Sequence, residues 1–241
     1  MGLFFLLLAN YIEPMQAPPP RKNTLYNEDC LATMKRMPDG YVDYIITSPP
    51  YNRKRNDKYE DYDDNINDYF AWLVTIIDEC LRVTKNNVFF NVQKTWYNKK
   101  DIFKLLHHYS EDIYDVIIWE KNNPNPANGN SVTNAYEFIL VFGNDFKSNK
   151  TYVKNHFATN VTKGYKEHKA VMHPKACEYL VMNFTNEGDF IYDPFNGTGT
   201  TSLVSALNNR IYCGSEISKK YFDLSHQRMR EEMGMFYAQM T

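Results

Sequence analysis

A short apolar run that ends in two prolines constrains the fold of this chain more than any other feature. Residues Val42–Ile46 are mainly apolar and β-branched, which is typical of a buried strand. Pro49 and Pro50 follow, and proline excludes a helix interior or a central strand because it has no backbone N–H group. The sequence therefore predicts a strand that leads into a stiff bend, Thr47-Ser48-Pro49-Pro50-Tyr51. Such a bend offers carbonyl acceptors, a hydroxyl and an aromatic ring to a flat substrate.

Strand-like and helix-like segments alternate along the rest of the chain. Six more strands are predicted, at Thr24–Tyr26, Asn87–Val92, Tyr114–Glu120, Glu137–Phe142, Asp189–Asp193 and Arg210–Glu216. Helices are predicted between them, at Leu31–Met37, Tyr69–Thr84, Asp101–Tyr109, His173–Phe184, Ser202–Leu207 and Ser218–Glu232. This alternation predicts an α/β fold, with a doubly wound, mostly parallel, seven-stranded sheet that is covered by helices on both faces.

Composition limits the class of protein and its compartment. The 241 residues are 43% apolar and 23% charged, which fits a globular chain of one α/β domain. The four cysteines are scattered without a C-x-x-C pair, which argues against zinc or disulfide frameworks and predicts a reducing compartment such as the cytoplasm. We expect residues 1–22 to be an extension outside the core. Alternatively, the start codon has been placed too early and Met15 is the true start. A signal peptide is less favoured. Residues 23–233 are predicted to form one domain, and 234–241 a tail.

Two basic segments stand out in a chain whose net charge is −2. Arg53-Lys54-Arg55 follows the proline bend directly. Residues 145–172 are rich in lysine and show no clear periodicity. They are interpreted either as a solvated loop or as an insert that contacts phosphates. The lysines are Lys147, Lys150, Lys154, Lys163, Lys166 and Lys169. No metal site is predicted, because neither His107-His108 nor the run of Asp61, Asp63 and Asp64 has partners at ligand spacing.

A glycine-rich turn near the end of the chain has the layout of a nucleotide-type site. Asp193 ends a predicted strand, Gly197 and Gly199 follow in the turn, and Glu216 ends the next strand. Glycines let a backbone approach a ligand closely, and an acid about 20 residues on accepts hydrogen bonds from ribose hydroxyls. The turn is neither a dinucleotide G-x-G-x-x-G nor a phosphate loop, which would need a lysine after its second glycine.

Together, Asp193-Pro194-Phe195-x-Gly197-x-Gly199-Thr200 and the proline bend resemble the S-adenosylmethionine-dependent DNA amino-methyltransferases. The similarity covers most of residues 24–233. The bend precedes the glycine turn, an order that resembles the β group, in which the motifs are permuted. Weaker similarities follow in the same order: Leu25-Tyr26-x-x-Asp29, Trp119-Glu120-Lys121-x-x-Pro124, Glu137–Phe142 and His173-Pro174-Lys175. The resemblance implies a Rossmann-like class I methyltransferase fold with circularly permuted motif order.

The resemblance also implies roles for individual residues. The catalytic element would be Ser48, Pro49, Pro50 and Tyr51, which hold the target base after it has flipped out of the duplex. The S-adenosylmethionine site would comprise Asp29 at the adenine, Glu216 at the ribose, Phe195, Gly197, Gly199 and Thr200 at the methionine end, and Asp193, His173 and Lys175. With double-stranded DNA as substrate, backbone contacts are expected from Arg53, Lys54, Arg55, Lys154, Lys163 and Lys166.

The resemblance leaves the target base and the partners open. In this family, Ser at the position of Ser48 tends to accompany methylation of cytosine N4, and Asp or Asn that of adenine N6. We therefore favour cytosine N4, with adenine N6 as the alternative. Methylation of RNA or of a protein amide is less favoured because of the basic insert and the permuted motif order. A DNA-binding subunit without catalysis is less favoured because Ser48, Tyr51, Gly197 and Gly199 are intact. The resemblance also implies a prokaryotic or viral-type setting. A homodimer and a partner restriction endonuclease are further expectations.

Overall fold

One mixed sheet of eight strands organises the computed structural model, which describes residues 17–52, 65–124, 126–127, 129, 131–160, 172–234 and 237. The strands are β1 (Thr24–Tyr26), β2 (Val42–Thr47), β3 (Thr84–Val92), β4 (Ile113–Lys121), β5 (Tyr136–Phe142), β6 (His156–Thr159), β7 (Phe190–Asp193) and β8 (Ile211–Ser215). The helices are α1 (Cys30–Lys35), α2 (Tyr69–Val83), α3 (Lys99–His108), α4 (Pro174–Phe184), α5 (Thr200–Leu207) and α6 (Lys219–Met233).

The sheet order is β1-β8-β7-β2-β3-β5-β4-β6. All neighbouring strands are parallel except that β5 runs antiparallel to both β3 and β4. The prediction of a doubly wound, mostly parallel sheet is therefore confirmed. Its carboxyl edge, the edge at which the parallel strands end, is where open α/β sheets bind ligands.

The predicted count of seven strands is wrong, because the lysine-rich segment contributes an eighth. Within it, β6 pairs in parallel with the second half of β4 and forms one end of the sheet. Only Thr159 of its four residues is buried. An edge strand exposed to this degree lacks the apolar run that marks a buried strand, so periodicity could not reveal it.

Helices cover both faces of the sheet, and side chains of successive strand residues alternate between the two layers. Ile45 packs in the layer of α1, α2 and α3, whereas Ile46 packs in the layer of α4 and α5. Likewise, Phe90 packs in the layer of α1, α2 and α3, and Phe89 packs in the layer of α4 and α5. This is the period of two expected of a sheet that is buried on both sides.

Other predictions can be compared with the described residues only in part. The four cysteines are all buried and free. In the portion of the chain that the structure describes, no helix has both the length and the apolar character needed to cross a bilayer. Residues 1–16, Arg53-Lys54-Arg55, the aspartates at 61–64, Lys163, Lys166 and most of the tail lie outside the described residues.

Candidate active site at the carboxyl edge of the sheet

The proline bend and the glycine turn meet at the carboxyl edge because their strands are neighbours. β2 pairs with β7, so Thr47 and Asp193 end adjacent strands although 146 positions separate them. The Thr47 hydroxyl donates a hydrogen bond to Asp193 Oδ1 across a distance of 2.6 Å. Both residues are buried. The two predicted motifs therefore form one site.

Two carbonyls of the bend are held from outside it. The Tyr69 hydroxyl, at the start of α2, donates to the Pro50 carbonyl at 2.6 Å. The side-chain amide of Asn98 donates to the Tyr51 carbonyl, with Nδ2 2.8 Å from the oxygen. Within the described residues, no donor reaches the Pro49 carbonyl. The bend is thus held at two of its carbonyls, and the Pro49 carbonyl is an available acceptor.

A buried polar cluster lies behind Ser48. The Ser48 and Tyr51 hydroxyls are 2.7 Å apart, and the Tyr51 hydroxyl donates to Glu137 Oε2 at 2.9 Å. Asn91 Nδ2 lies 2.7 Å from both the Tyr51 hydroxyl and Glu137 Oε2, and 3.3 Å from Ser48 Oγ. The other oxygen of Glu137 pairs with the Lys121 ammonium. Asn91 is 0% exposed and Glu137 is 4% exposed.

Sequence reasoning gave no role to Asn91 or Asn98 and quoted Lys121 and Glu137 only for their similarity to later strands of the family. One signal was present, since Asn91 interrupts the apolar run of β3 and a buried polar side chain must find partners. Nothing in the sequence indicated that these partners would be Tyr51 and Glu137.

Asp193 is a buried carboxylate with strong local partners. It is 4% exposed, and its Oδ1 accepts from the Phe195 amide at 2.9 Å as well as from Thr47. Burial raises the pKa of Asp193 from 3.8 to about 6, against the opposing effect of hydrogen bonds from Thr47, Thr201 and the Phe195 amide. Its protonation therefore changes in mildly acidic solution.

Glu216 closes the glycine turn from the end of β8. Its Oε2 accepts from the Gly197 amide and its Oε1 from the Ser218 amide, each at 2.8 Å. Each carboxylate oxygen can accept more than one hydrogen bond, so Glu216 can hold the turn and still accept from ribose hydroxyls.

The predicted turn residues differ in what they contact. Gly199 adopts φ +82°, and a Cβ there would lie 3.0 Å from Ser225 Cβ, so its missing side chain permits close packing against α6. The Thr200 hydroxyl accepts a hydrogen bond from Arg228 of α6 at 2.9 Å. The Phe195 ring lies 5.5 Å from the Trp72 ring of α2, which places an aromatic pair beside the turn.

The remaining predicted cofactor residues begin helices. Asp29 is exposed and caps α1 by accepting from the Leu31 amide at 2.8 Å. The buried His173 caps α4, where its Nδ1 accepts from the Lys175 amide at 3.1 Å. Burial and the adjacent Lys175 lower the pKa of His173. Lys175 itself is exposed.

Lys154, the one predicted DNA contact among the described residues, is exposed and precedes β6. Thr159, at the far end of β6, pairs in register with Lys121 at the carboxyl edge. Lys154 is thus set back from that edge by about 13 Å, the length of a four-residue strand. A contact of Lys154 with DNA would lie away from the target base.

Comparison with known families agrees with this geometry. Residues 42–227 match the family model described as DNA methylase. The chain belongs to this family of N6- and N4-type DNA methylases. The orphan methyltransferase M.BamHII of Bacillus amyloliquefaciens is 26% identical over 80% of this chain and 90% of its own length. The type II methyltransferase M.HinfI of Haemophilus influenzae is 27% identical over 87% of this chain and 68% of its own.

Solved structures share the fold of this DNA methylase. The cytosine-N4-specific PvuII DNA methyltransferase superposes with a TM-score of 0.70 at 17% identity, over 90% of this chain and 92% of its own. The complex of M1.HpyAVI with S-adenosylmethionine superposes with a TM-score of 0.61 at 24% identity, over 85% of this chain and 98% of its own.

S-adenosylmethionine is the cofactor of this family, and the residues present fit it. The cofactor offers an ammonium group and two ribose hydroxyls as hydrogen-bond donors. The glycine turn is flanked by two carboxylate acceptors, Asp193 and Glu216, at the ends of neighbouring strands. Among the described residues, the buried Asn196 Nδ2 and Thr198 Oγ1 in the turn have no hydrogen-bond partner. These two groups are therefore available to form hydrogen bonds beside the carboxylates of Asp193 and Glu216.

Proposed function

We propose that this DNA methylase transfers a methyl group from S-adenosylmethionine to the exocyclic amine of a flipped base, with N4 of cytosine as the favoured target. The hydrogen bond between Thr47 and Asp193 carries the proposal, because it joins the catalytic bend to the cofactor turn. Ser48, the first residue of the catalytic element Ser48-Pro49-Pro50-Tyr51, supports cytosine N4, and adenine N6 is the alternative.

The bend acts by positioning acceptors. An exocyclic amine is a poor nucleophile because its lone pair is delocalised into the ring of the base. If Ser48 Oγ and the Pro49 carbonyl each accept one N–H, the nitrogen can become pyramidal and its lone pair is freed. When bound, S-adenosylmethionine supplies an electrophilic methyl group on sulfur. The protein's contribution is orientation and fixed acceptors, without a covalent intermediate on the chain.

Tyr51 is the proposed stacking partner of the flipped base. The residue is 8% exposed, and its hydroxyl is held by Asn91 and Glu137, which fixes the orientation of the ring. Unstacking a base costs a few kcal/mol, which stacking and hydrogen bonds in the pocket offset.

The proposed DNA face lies along the carboxyl edge of the sheet. Arg53-Lys54-Arg55 follows Asn52 at the bend, and the segment with Lys163 and Lys166 follows β6 at the carboxyl edge. Between β3 and α3, the loop of residues 93–98 presents Trp96, which is 78% exposed, with Lys99 Nζ 3.7 Å from its ring centre. Asn98 ties this loop to the Tyr51 carbonyl. Aromatic rings beside cations suit unstacked bases and phosphates.

Incubation with duplex DNA and methyl-labelled S-adenosylmethionine, followed by digestion to nucleosides, tests the proposal. We expect label in N4-methyldeoxycytidine. Label in N6-methyldeoxyadenosine would overturn only the choice of base. Label on RNA or protein with none on DNA, or DNA binding without transfer, would overturn the proposal itself.

The permuted motif order, a homodimer and a partner restriction endonuclease remain predictions. Light scattering of the purified chain at micromolar concentration tests the homodimer. Digestion of host DNA by a nuclease encoded nearby, with protection of DNA methylated by this chain, tests the partner.

A further inference from the structure

The cluster of Ser48, Tyr51, Asn91, Glu137 and Lys121 has a hydrogen-bond pattern with a definite direction. An ionised carboxylate only accepts hydrogen bonds, whereas a tyrosine hydroxyl donates one and accepts up to two. Glu137 is paired with the Lys121 ammonium, and the side chains of the two residues are 5% and 14% exposed. The Glu137 carboxylate is therefore a fixed acceptor. From it, the positions of the Tyr51, Ser48 and Asn91 hydrogens can be assigned.

The hydrogen of the Tyr51 hydroxyl is donated to Glu137. The Tyr51 hydroxyl donates to Glu137 Oε2 at 2.9 Å, which uses its only hydrogen. The 2.7 Å contact between the Ser48 and Tyr51 hydroxyls then needs a hydrogen from Ser48. Consequently Ser48 donates to Tyr51, and Tyr51 donates to Glu137.

Asn91 enforces the same direction. If its amide were turned over, its oxygen would face Glu137 Oε2 at 2.7 Å, and two acceptors would oppose each other. Asn91 Nδ2 has two hydrogens for three acceptors. Glu137 and Tyr51 are the nearer ones at 2.7 Å, whereas Ser48 Oγ lies at 3.3 Å. The Ser48 oxygen thus keeps lone-pair capacity while its hydrogen points inward.

We infer that the buried Lys121–Glu137 pair is a specificity-determining element, which acts through Tyr51 and Asn91 to make Ser48 an obligate hydrogen-bond acceptor toward the target base. Glu137, Asn91 and Lys121 are positioning residues in this inference, which deepens the proposed function and rests on it. An obligate acceptor favours a base edge that carries an amine. It disfavours the edge of uracil or hypoxanthine, where a carbonyl oxygen replaces that amine.

The test compares a duplex that carries the natural target base with one that carries its carbonyl counterpart. Sequencing of methylated bases in cells expressing the chain supplies the target duplex; the counterpart is uracil for cytosine or hypoxanthine for adenine. The ratio of the two dissociation constants is measured alongside single-turnover methyl transfer. Glu137→Gln introduces an amide that can donate to Tyr51, and Tyr51→Phe removes the connecting hydroxyl but keeps the ring. Glu120→Gln alters an exposed glutamate of the same strand as Lys121 that pairs with His156, and serves as the control.

We expect both variants to reduce the preference for the amine-bearing duplex by about tenfold, the effect of one hydrogen bond. Transfer should slow, cofactor affinity should stay within about twofold, and Glu120→Gln should match the wild type. Slower transfer with an unchanged preference in both variants would indicate a structural role only and would overturn the inference. If Glu137→Gln binds no cofactor and has lost its fold, Tyr51→Phe alone decides. A wild-type chain that labels no DNA would instead refute the proposed function, and the inference would fail with it.

Discussion

Ser48 shows how one hydroxyl acquires a role from its neighbours. In the inferred hydrogen-bond pattern its hydrogen is donated to Tyr51, and the bend that carries it is held at the Pro50 and Tyr51 carbonyls. Removing it deletes an acceptor that matters as the amine becomes nucleophilic.

We expect Ser48→Ala to lower the turnover number about 100-fold, by analogy with the loss of one oriented hydrogen bond in other transition states. Cofactor affinity should stay within about twofold, since the contacts of Asp193 and Glu216 are unchanged. Calorimetric titration with S-adenosylmethionine and labelled-methyl transfer measure the two quantities. Ser110→Ala, at an exposed position after α3, is the matched control. A collapse of cofactor affinity with turnover preserved would contradict the role of Ser48.

The proposed role of Asp193 in cofactor binding predicts that this binding depends on pH. Because its pKa in the folded chain is about 6, the carboxylate is increasingly neutral below that pH. An ammonium-bearing ligand binds the ionised form, so its dissociation constant should rise about tenfold per pH unit below 6 and level off above it. Titrations between pH 5 and 8 measure this dependence. Asp193→Asn should bind weakly at every pH, and an equal pH dependence in that variant would contradict the assignment.

The raised pKa of Asp193 also affects the stability of the fold. Stability falls as the pH rises, whereas cofactor affinity increases. The folded chain binds the Asp193 proton more tightly than the unfolded chain, in which the aspartate carboxyl has its ordinary pKa of 3.8. The contribution of Asp193 to the free energy of unfolding therefore falls as the pH rises from about 4 to about 6, and stays at the lower level above pH 6.

At the scale of elements, the packing of α5 against α6 depends on Gly199. Its positive φ is costly for any residue with a Cβ, and Ser225 occupies the space where that Cβ would lie.

Gly199→Ala should lower the free energy of unfolding by about 1–2 kcal/mol from the backbone and by about 1–3 kcal/mol more from crowding. Gly129→Ala separates the two effects, since Gly129 has φ +59° and nothing within 4 Å of its added Cβ. Urea denaturation of both variants measures the difference. Equal losses would show that contact with Ser225 is unimportant.

The loop of residues 93–98 is a second element with a testable role. Asn98 anchors it to the bend at the Tyr51 carbonyl, and Trp96, two residues before Asn98, is exposed.

Trp96→Ala should weaken binding of the target duplex by about tenfold, because one stacked base contributes 1–3 kcal/mol. Cofactor affinity should not change. Fluorescence anisotropy of labelled duplex measures the loss. Tyr152→Ala removes a fully exposed ring that precedes β6 and should bind DNA as the wild type does. Equal affinities of the Trp96 variant and the wild type would remove this loop from the DNA face.

At the scale of the whole molecule, a chain of net charge −2 must bind DNA through a local concentration of cations. In the sequence, both basic segments follow elements that end at the carboxyl edge, namely the bend after β2 and the strand β6. The proposed DNA face is therefore centred on that edge.

Replacing Arg53 and Arg55 together by Ala should reduce the slope of log affinity against log salt by about 2, close to 0.9 for each lost phosphate contact. Affinity should fall alike for target and non-target duplexes. Lys85→Ala is the control, because Lys85 is exposed, pairs with Asp43 and lies at the start of β3, at the opposite end of that strand from the carboxyl edge. An unchanged salt slope in the double variant would exclude these arginines from the backbone contacts.

The sequence by itself determined the features that depend on neighbouring residues. Prolines 49 and 50 dictate a bend wherever they occur, and the apolar runs around residues 45 and 191 require burial in strands. The class of fold, the proline bend and the glycine turn were therefore predictable. The exposed edge strand β6 was not, because its stability comes from pairing with β4 and not from its own composition.

Only the tertiary structure decided which polar groups meet behind Ser48. Asn91 pairs in register with Ile139, two residues from Glu137, and Glu137 pairs with Trp119, two residues from Lys121. These diagonal positions place all three polar side chains on one face of the sheet. A slip of one residue in either pairing would turn them to opposite faces. Local sequence does not specify such register between distant strands, so the cluster that orients Ser48 became visible only in the folded chain.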